Sequence, residues 1–205
     1  MPSYYNKLPV EFYLRDCFVV AKELLGKTFV KKENGQYLLG KIVEVEVYTL
    51  DDPASHSFGG KKNKNAVMFE GGGKLYVYFT YGMYFCCNVV SGNYNEGTAI
   101  LIRALEPLLG FDTFAERRFN KKELSDKESR SLLNGPGKIC IAYNLNSSFN
   151  GISLVDNSVF LAEGIKEESF QIGVSSRIGI SKGKELERRF FIKNNLYLSR
   201  NDKKQ

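Results

Sequence analysis

The amino-acid sequence predicts an α+β fold in a single compact domain, and three observations support this. A chain of 205 residues has the length of one domain that buries about 70% of its unfolded surface. Two pairs of strand-like runs are joined by short turns, as in antiparallel hairpins. Other segments place apolar residues at the three- and four-residue spacing of helices. No internal repeat or linker divides the chain, and only residues 1–8 and 197–205 are expected to fray.

Composition places the chain among globular proteins with a basic balance. Hydrophobic residues make up 43% and charged residues 25%, and 29 lysines and arginines face 23 acidic residues, which gives a net charge of +6. This balance suits a polyanionic partner, although many basic proteins bind none. No apolar run reaches about 18 residues and no signal-peptide pattern is present. We therefore expect a soluble intracellular protein with no membrane contact, in the cytoplasm (nucleoid) or the nucleus.

Cysteine and histidine usage limits the kinds of site. Cys17, Cys86, Cys87 and Cys140 show no CxxC spacing. Neither a zinc site nor a disulfide framework is indicated, and a reducing compartment is expected. The single histidine, His56, excludes a metal site built on several histidines.

The first predicted elements are a helix and a hairpin. Asp16 is placed to cap a helix that Gly26 ends. Strands are predicted at 28–32 and 37–48, joined by Asn34-Gly35, which is a strong hairpin signal.

The second of these strands carries its polar residues on one face. Side chains alternate across a strand, so the three valines of KIVEVEVY face one way. The other face carries Glu44, Glu46 and Tyr48. Its two carboxylates are about 7 Å apart.

An aromatic segment, LYVYFTYGMYFCCN, follows a long loop at 49–73. Strands are predicted at 76–79 and 84–90, with residues 80–83 as the tip. Exposed aromatic rings suit a flat aromatic partner such as a nucleobase, whose stacking contributes about 1 to 3 kcal/mol. A strand-rich core is the alternative.

The rest of the chain alternates between strands and helices. A buried strand is predicted at 98–105 with Arg103 embedded in it, which requires a carboxylate or an anion nearby. A helix is predicted at 107–119, and the charged segment 120–130 as a solvated connection. Pro136 is placed to begin a further helix.

Five motifs occur together in a characteristic order: IVEVEVY, ASHSFGG, LYVYFTYGMYFCCN, ILIRALEP and NGPGKIC. In their order and approximate spacing they resemble the alkyladenine (3-methyladenine) DNA glycosylases, from about residue 8 to about residue 192. The resemblance implies a monofunctional base-excision-repair enzyme that flips alkylated or deaminated purines out of double-stranded DNA and hydrolyses the N-glycosidic bond. It also implies an antiparallel sheet core with surrounding helices, a protruding aromatic hairpin, and no metal or cofactor. We expect a monomer.

The resemblance also implies the catalytic residues. Glu46 corresponds to the general base that activates the attacking water, and Arg103 to the arginine that helps to hold that water. Arg103 would favour the ionised carboxylate. A base acting on water contributes typically about 10² to 10⁴-fold in rate, and an anion beside the sugar stabilises the developing oxocarbenium charge.

The binding residues implied by the resemblance divide into two groups. Tyr48, His56 and Tyr78 correspond to the rings that sandwich the flipped base, and Asn88 to a pocket asparagine that could discourage guanine. The DNA-contacting group is Tyr81, as the wedge that fills the vacated space, with Met83, Lys61, Lys62 and Lys64.

Several alternatives remain open from the sequence. Glu46 and Arg103 could form a structural ion pair, His56 could be a loop histidine bonded to backbone, and Asn88 could be an ordinary buried asparagine. The protein could be a non-catalytic module that stacks on bases. Less in keeping with its charge, it could be a carbohydrate hydrolase using Glu44 and Glu46 as acid and base.

Two departures from the family pattern concern the pocket. The segment between Tyr48 and His56 is one residue shorter than in well-known members. Phe58 stands where a basic residue is common. The preference among damaged bases therefore does not follow from the sequence.

Overall fold

The centre of the molecule is an antiparallel β-sheet in the computed structural model, which describes residues 6–80, 82–164 and 169–200. Its strands are β1 (Thr28–Glu33), β2 (Gln36–Tyr48), β3 (Leu75–Thr80), β4 (Tyr84–Ser91), β5 (Thr98–Leu109), β6 (Val159–Ala162), β7 (Ile172–Ser175) and β8 (Arg189–Ile192). They lie in the order β3-β4-β5-β2-β1-β6, and β8 pairs with both β2 and β7. The antiparallel pairing confirms the predicted sheet.

Strand β2 lies at the middle of this sheet. One edge pairs with β5 along most of its length, and the other edge pairs first with β1 and then, around Glu44 and Glu46, with β8. The half of β2 that carries the two glutamates therefore has a neighbouring strand on each side. The predicted alternation is also present, since Val43, Val45 and Val47 are fully buried in the apolar core.

An irregularity in the pairing of β2 with β5 places Arg103. Glu44 lies opposite Ala104, whereas the next residue of β2, Val45, lies opposite Ile102. Arg103 is therefore an extra residue on β5, as in a β-bulge, which redirects a side chain. Its guanidinium turns toward the glutamate face of β2.

Helices cover the apolar side of the sheet. They are α1 (Val10–Tyr13), α2 (Cys17–Leu24), α3 (Phe111–Phe119), α4 (Asp126–Ser131) and α5 (Pro136–Ala142), with 3₁₀ turns at Asn63–Phe69 and Ser147–Phe149. The Asp16 side chain accepts hydrogen bonds from the amides of Phe18 and Val19, which confirms the predicted cap. Leu24 and Phe114 are among the helical residues of the core.

The predicted helix at 107–119 begins too early. Strand β5 continues to Leu109, because Pro107 and Leu109 pair with β2. Gly110 then turns the chain with a φ of 98°, and α3 begins at the next residue. Pairing with β2 outweighs the helical spacing of the apolar residues, and proline is tolerated because the register shifts beside it.

Two other segments are more ordered than the sequence predicts. The solvated connection at 120–130 contains the start of α4, which a capping box between Ser125 and Glu128 stabilises. The expected fraying does not extend to Leu8, which is buried, or to Leu198 and Ser199. Leu198 is 5% exposed, and the Ser199 amide donates to a Glu44 carboxylate oxygen.

The aromatic segment forms the β3–β4 pair at one edge of the sheet. Residues pair from Leu75 with Val89 to Thr80 with Tyr84. The proposed wedge residue, Tyr81, lies outside the described residues, whereas Met83 beside it is 67% exposed. Within the described ranges, no helix has the length and apolar character needed to cross a membrane.

Candidate active site

A cleft of about 510 Å³ opens on the glutamate side of β2. Five of the residues that the sequence singled out line it together: Tyr48, His56, Tyr78, Asn88 and Arg103. They come from β2, β3, β4, β5 and the loop after β2. The sheet therefore brings these separated motifs to one place, as the family resemblance implies.

Glu46 lies directly beneath the floor of this cleft. Its side chain has no exposed surface. One oxygen, Oε1, accepts a hydrogen bond from the Ile178 amide at 2.7 Å, and the other, Oε2, accepts one from the Tyr48 hydroxyl at 2.9 Å. Tyr48, Arg103 and Ile178 all line the cleft.

The environment of Glu46 raises the pKa of its carboxyl above the usual range. Burial is the largest cause, and the nearby charge of Glu44 acts in the same direction. The Arg103 charge, the Ile178 amide and the Tyr48 hydroxyl act in the opposite direction and stabilise the ionised form. The expected effect of Arg103 is present, but burial outweighs it. A carboxylate with a raised pKa is a stronger base for removing a proton from water.

Arg103 joins the two carboxylates of β2. Its Nε lies 3.1 Å from Glu44 Oε1 and 3.4 Å from Glu46 Oε1. The ion pair with Glu46 that the sequence allowed is therefore present, and it lies at the cleft rather than away from it. Arg103 also contacts the carbonyl oxygen of Ile178 at 3.5 Å.

The cleft wall is aromatic. The rings of His56 and Tyr78 are 4.4 Å apart, and those of Tyr76 and Tyr78 are 5.4 Å apart. His56 Nδ1 shares a hydrogen bond with the Tyr76 hydroxyl at 2.9 Å. Burial and the charge of Lys64 lower the pKa of His56, so its ring is neutral at neutral pH. The His56 ring is thus hydrogen-bonded to a tyrosine side chain, whereas the alternative from the sequence was a bond to backbone.

Asn88 and Tyr76 are linked in the same wall. The Asn88 side-chain amide donates to the Tyr76 carbonyl oxygen at 3.1 Å. Asn88 is therefore both a buried, hydrogen-bonded asparagine and a residue of the cleft. The sequence reasoning did not assign Tyr76 a role, although its position two residues before Tyr78 puts both rings on one face of β3.

A second missed residue supports Tyr48 from behind. The Arg177 guanidinium lies 4.6 Å from the centre of the Tyr48 ring, and it is fully buried in an ion pair with Asp52. Its Nη1 also donates to the Val47 carbonyl oxygen at 3.1 Å. Arg177 does not line the cleft. No local sequence pattern links Arg177 to Asp52, which lies 125 positions away on another loop.

The described residues assigned to DNA contact lie outside the cleft lining. Lys61 and Lys62 are exposed in the loop that follows His56, Lys64 is exposed in the 3₁₀ turn at Asn63–Phe69, and Met83 is exposed beyond the end of β3. None of these four lines the cleft. Among the described residues, no group of histidine, cysteine, aspartate and glutamate is arranged to hold a metal ion.

Comparison with known proteins identifies the family of the chain. Residues 11–196 match the model of the family described as methylpurine-DNA glycosylase. Proteins named "Putative 3-methyladenine DNA glycosylase" are similar along nearly their whole length. The one from Carboxydothermus hydrogenoformans is 44% identical over 94% of this chain and 98% of the relative. The one from Clostridium novyi is 43% identical over 95% of this chain and 99% of the relative. The chain belongs to the methylpurine-DNA glycosylase family and is a DNA glycosylase of base excision repair, which hydrolyses N-glycosyl bonds.

Proposed function

We propose that this DNA glycosylase flips alkylated or deaminated purines out of duplex DNA into the aromatic cleft, and that Glu46 activates the water that releases them. The observation that carries the proposal is the position of Glu46. A buried carboxylate with a raised pKa lies beneath a cleft wide enough for a purine, hydrogen-bonded to residues of the cleft floor.

The aromatic wall supplies the recognition step. A purine placed between Tyr48 and the His56–Tyr78 pair would gain about 1 to 3 kcal/mol from stacking. That gain offsets part of the few kcal/mol that unstacking a base from the duplex costs. An alkylated purine that carries a positive charge gains further from the electron-rich ring faces. Tyr81 and Met83 are proposed to fill the vacated space, and the three loop lysines to hold the backbone.

The chemical step follows from the floor of the cleft. Water attacks C1′ of the everted deoxyribose as the bond between C1′ and the purine nitrogen breaks, and Glu46 takes the proton from that water. The purine leaves with the electron pair of the broken bond. The negative charge of Glu46 also stabilises the oxocarbenium character that develops on the sugar. Arg103, which contacts Glu46 and lines the cleft, is proposed to help hold the water.

No specific observation favours the other functions. Among the described residues, no aspartate or glutamate lines the cleft directly, and Glu44 is fully buried with both oxygens bonded. A carbohydrate hydrolase would need two carboxylates facing its substrate. We also propose that the enzyme acts as a monomer, and measurement of its mass in solution tests this.

The direct experiment replaces Glu46 with glutamine, which keeps the size and loses the base. We expect release of hypoxanthine and of 3-methyladenine from duplex DNA to be lost, whereas binding to the same duplexes remains within a few-fold of wild type. Glu106→Gln is the control, because Glu106 lies on β5 and pairs with Lys41 instead of facing the cleft. Retained release by the Glu46 variant would remove Glu46 from the mechanism.

A further inference from the structure

A second buried carboxylate lies two residues before Glu46 on the same face of β2. Glu44 has no exposed surface and does not line the cleft. Its Oε1 accepts hydrogen bonds from Arg189 Nε at 2.7 Å, the Ser199 hydroxyl at 2.7 Å and Arg103 Nε at 3.1 Å. Its Oε2 accepts one from the Ser199 amide at 2.7 Å. Buried charges persist only with such partners.

These contacts fix one side of the Arg103 guanidinium. Arg103 Nε donates to Glu44 and to the Ser199 hydroxyl, which lies 3.1 Å away. Arg103 Nη1 is 3.5 Å from Glu46 Oε2. Glu44 and Ser199 therefore hold Nε, which itself lies 3.4 Å from Glu46 Oε1, and so fix the guanidinium against both oxygens of Glu46.

Arg189 and the last described residues hold Glu44 in turn. Besides its bond to Glu44, Arg189 donates through Nη1 to the Ser175 hydroxyl at 3.0 Å and through Nη2 to the Arg200 carbonyl oxygen at 3.2 Å. Arg189 lies opposite Glu46 in the pairing of β8 with β2. The positive charges of Arg103 and Arg189 balance the two carboxylates when both are ionised. The segment at 199–200 thereby bonds to both Glu44 and Arg189.

We propose that Glu44, held by Arg189 and Ser199, is a positioning residue of the glycosylase reaction, which orients Arg103 against Glu46 and sets how strongly Arg103 engages the base. This inference rests on the proposed role of Glu46. It assigns a function to the segment around Ser199, which reaches the reaction only through Glu44 and Arg103. The competing explanation is that the network only fastens that segment to the sheet.

The charges around Glu46 determine the expected effect of removing the Glu44 charge. The charged or titratable groups that surround Glu46 are Glu44 and Tyr48 on β2, Tyr78 on β3, Cys86 on β4, Arg103 on β5, Arg177 after β7 and Arg189 on β8. Glu44 is the carboxylate in this set. Without it, Arg103 interacts more strongly with Glu46 and favours its ionised form. Glu46 would then be a weaker base that works at lower pH.

The test is the pH dependence of single-turnover release of hypoxanthine, an uncharged base, by Glu44→Gln between about pH 5 and about pH 8. We expect the plateau rate to fall about 10- to 100-fold because Arg103 is no longer held in a fixed position. The acidic limb should move to lower pH by about one unit because a like charge is removed. Binding to the lesion duplex should change little.

Two serine variants separate positioning from folding. Ser199→Ala keeps every charge and removes one hydroxyl that bonds both Glu44 and Arg103, so the plateau rate should fall up to about 10-fold with the melting temperature nearly unchanged. Ser175→Ala is the matched control, because its hydroxyl contacts Arg189 alone in this network. Wild-type rate and pH profile are expected for it. Should Glu44→Gln not fold, the comparison of the two serine variants decides the question.

Two results would overturn the inference. One is a Glu44→Gln enzyme that has the wild-type plateau rate and the wild-type acidic limb of the pH–rate profile. The other is a plateau rate that falls only in proportion to the amount of folded protein, while the acidic limb stays at its wild-type pH. The inference also requires the plateau rate of Ser199→Ala to be lower than that of Ser175→Ala. If Glu46→Gln is inactive while these variants match wild type, only this inference fails. If Glu46→Gln releases base normally, the proposed function itself fails.

Discussion

The floor and the rim of the cleft are built in opposite ways. The floor residues Arg103 and Ile178 hydrogen-bond to Glu46, which is fully buried beneath them. The rim is the exposed segment after His56 that carries Lys61, Lys62 and Lys64. Fixed, desolvated groups suit chemistry, because their charges act at full strength on the reacting atoms. Exposed lysines suit phosphates, which they can follow along a backbone.

This contrast gives each region its own measurable response. Changes to the floor or its support should alter the rate of base release or the stability of the fold. Changes to the rim should alter affinity for DNA and its salt dependence, with the rate at saturation unchanged. A rim variant that slows the chemical step would break the comparison.

The largest effect is expected on the stability of the fold, at the ion pair between Arg177 and Asp52 that packs against the Tyr48 ring. Arg177→Met removes the close ion pair of Asp52, in which both side chains are fully buried, and leaves Asp52 only the longer ion-pair contact with Arg188 at 3.8 Å. We expect the free energy of unfolding to fall by about 3 to 5 kcal/mol, measured by urea denaturation. Adding Asp52→Asn should restore part of this stability. Additive effects of the two single changes would contradict a direct interaction between these side chains.

A smaller effect is expected at the Tyr48 hydroxyl. Tyr48→Phe keeps the stacking ring and removes the donor to Glu46 Oε2. We expect single-turnover release to slow about 10-fold, the value of one hydrogen bond to a charged group, with affinity for the lesion duplex retained. Tyr94→Phe, at an exposed tyrosine, is the control. A wild-type rate for Tyr48→Phe would show that this hydroxyl does not act on the base.

The smallest effect on rate is expected at the rim. Replacing the three rim lysines with alanine should weaken DNA binding and reduce the slope of log affinity against log salt by up to about 0.9 for each phosphate that is no longer neutralised. The rate at saturating enzyme should not change. Lys7, Lys27 and Lys32 provide a control with the same change of charge, because they lie at the β1–β6 end of the sheet, away from β3. An equal reduction of the slope in both triple variants would mean that net charge alone is responsible.

The sequence predicts best the elements that local chemistry determines. The Asn34-Gly35 hairpin has both residues at positive φ, as such a turn requires. The Asp16 cap and the Pro136 helix start depend on neighbouring residues in the same way, and all three are confirmed. The helix predicted from residue 107 is wrong for 107–109, because the pairing partner of these residues lies on β2, far away in sequence.

The site follows the same division. The cleft-lining residues were located through motifs of a known family, since nothing in composition or spacing brings β2, β3 and β5 together. The sequence does not predict the residues that hold the cleft-lining side chains in place. Arg177 and Asp52 are 125 positions apart, and Glu44 and Ser199 are 155 apart. Contacts at such separations leave no periodicity in the sequence, and only the folded sheet shows them.

The most direct test of the account is the pH dependence of single-turnover base release by the wild-type enzyme beside Glu46→Gln. Burial raises the pKa of Glu46, and a base works only when deprotonated, so the rate should fall with decreasing pH at values above the ordinary carboxyl pKa of 4.5. The Glu46→Gln variant should show no appreciable release at any pH, and therefore no acidic limb in its pH–rate profile. A wild-type rate that stays constant down to pH 4.5, or a variant that keeps the same limb, would contradict the claim that Glu46 is the base.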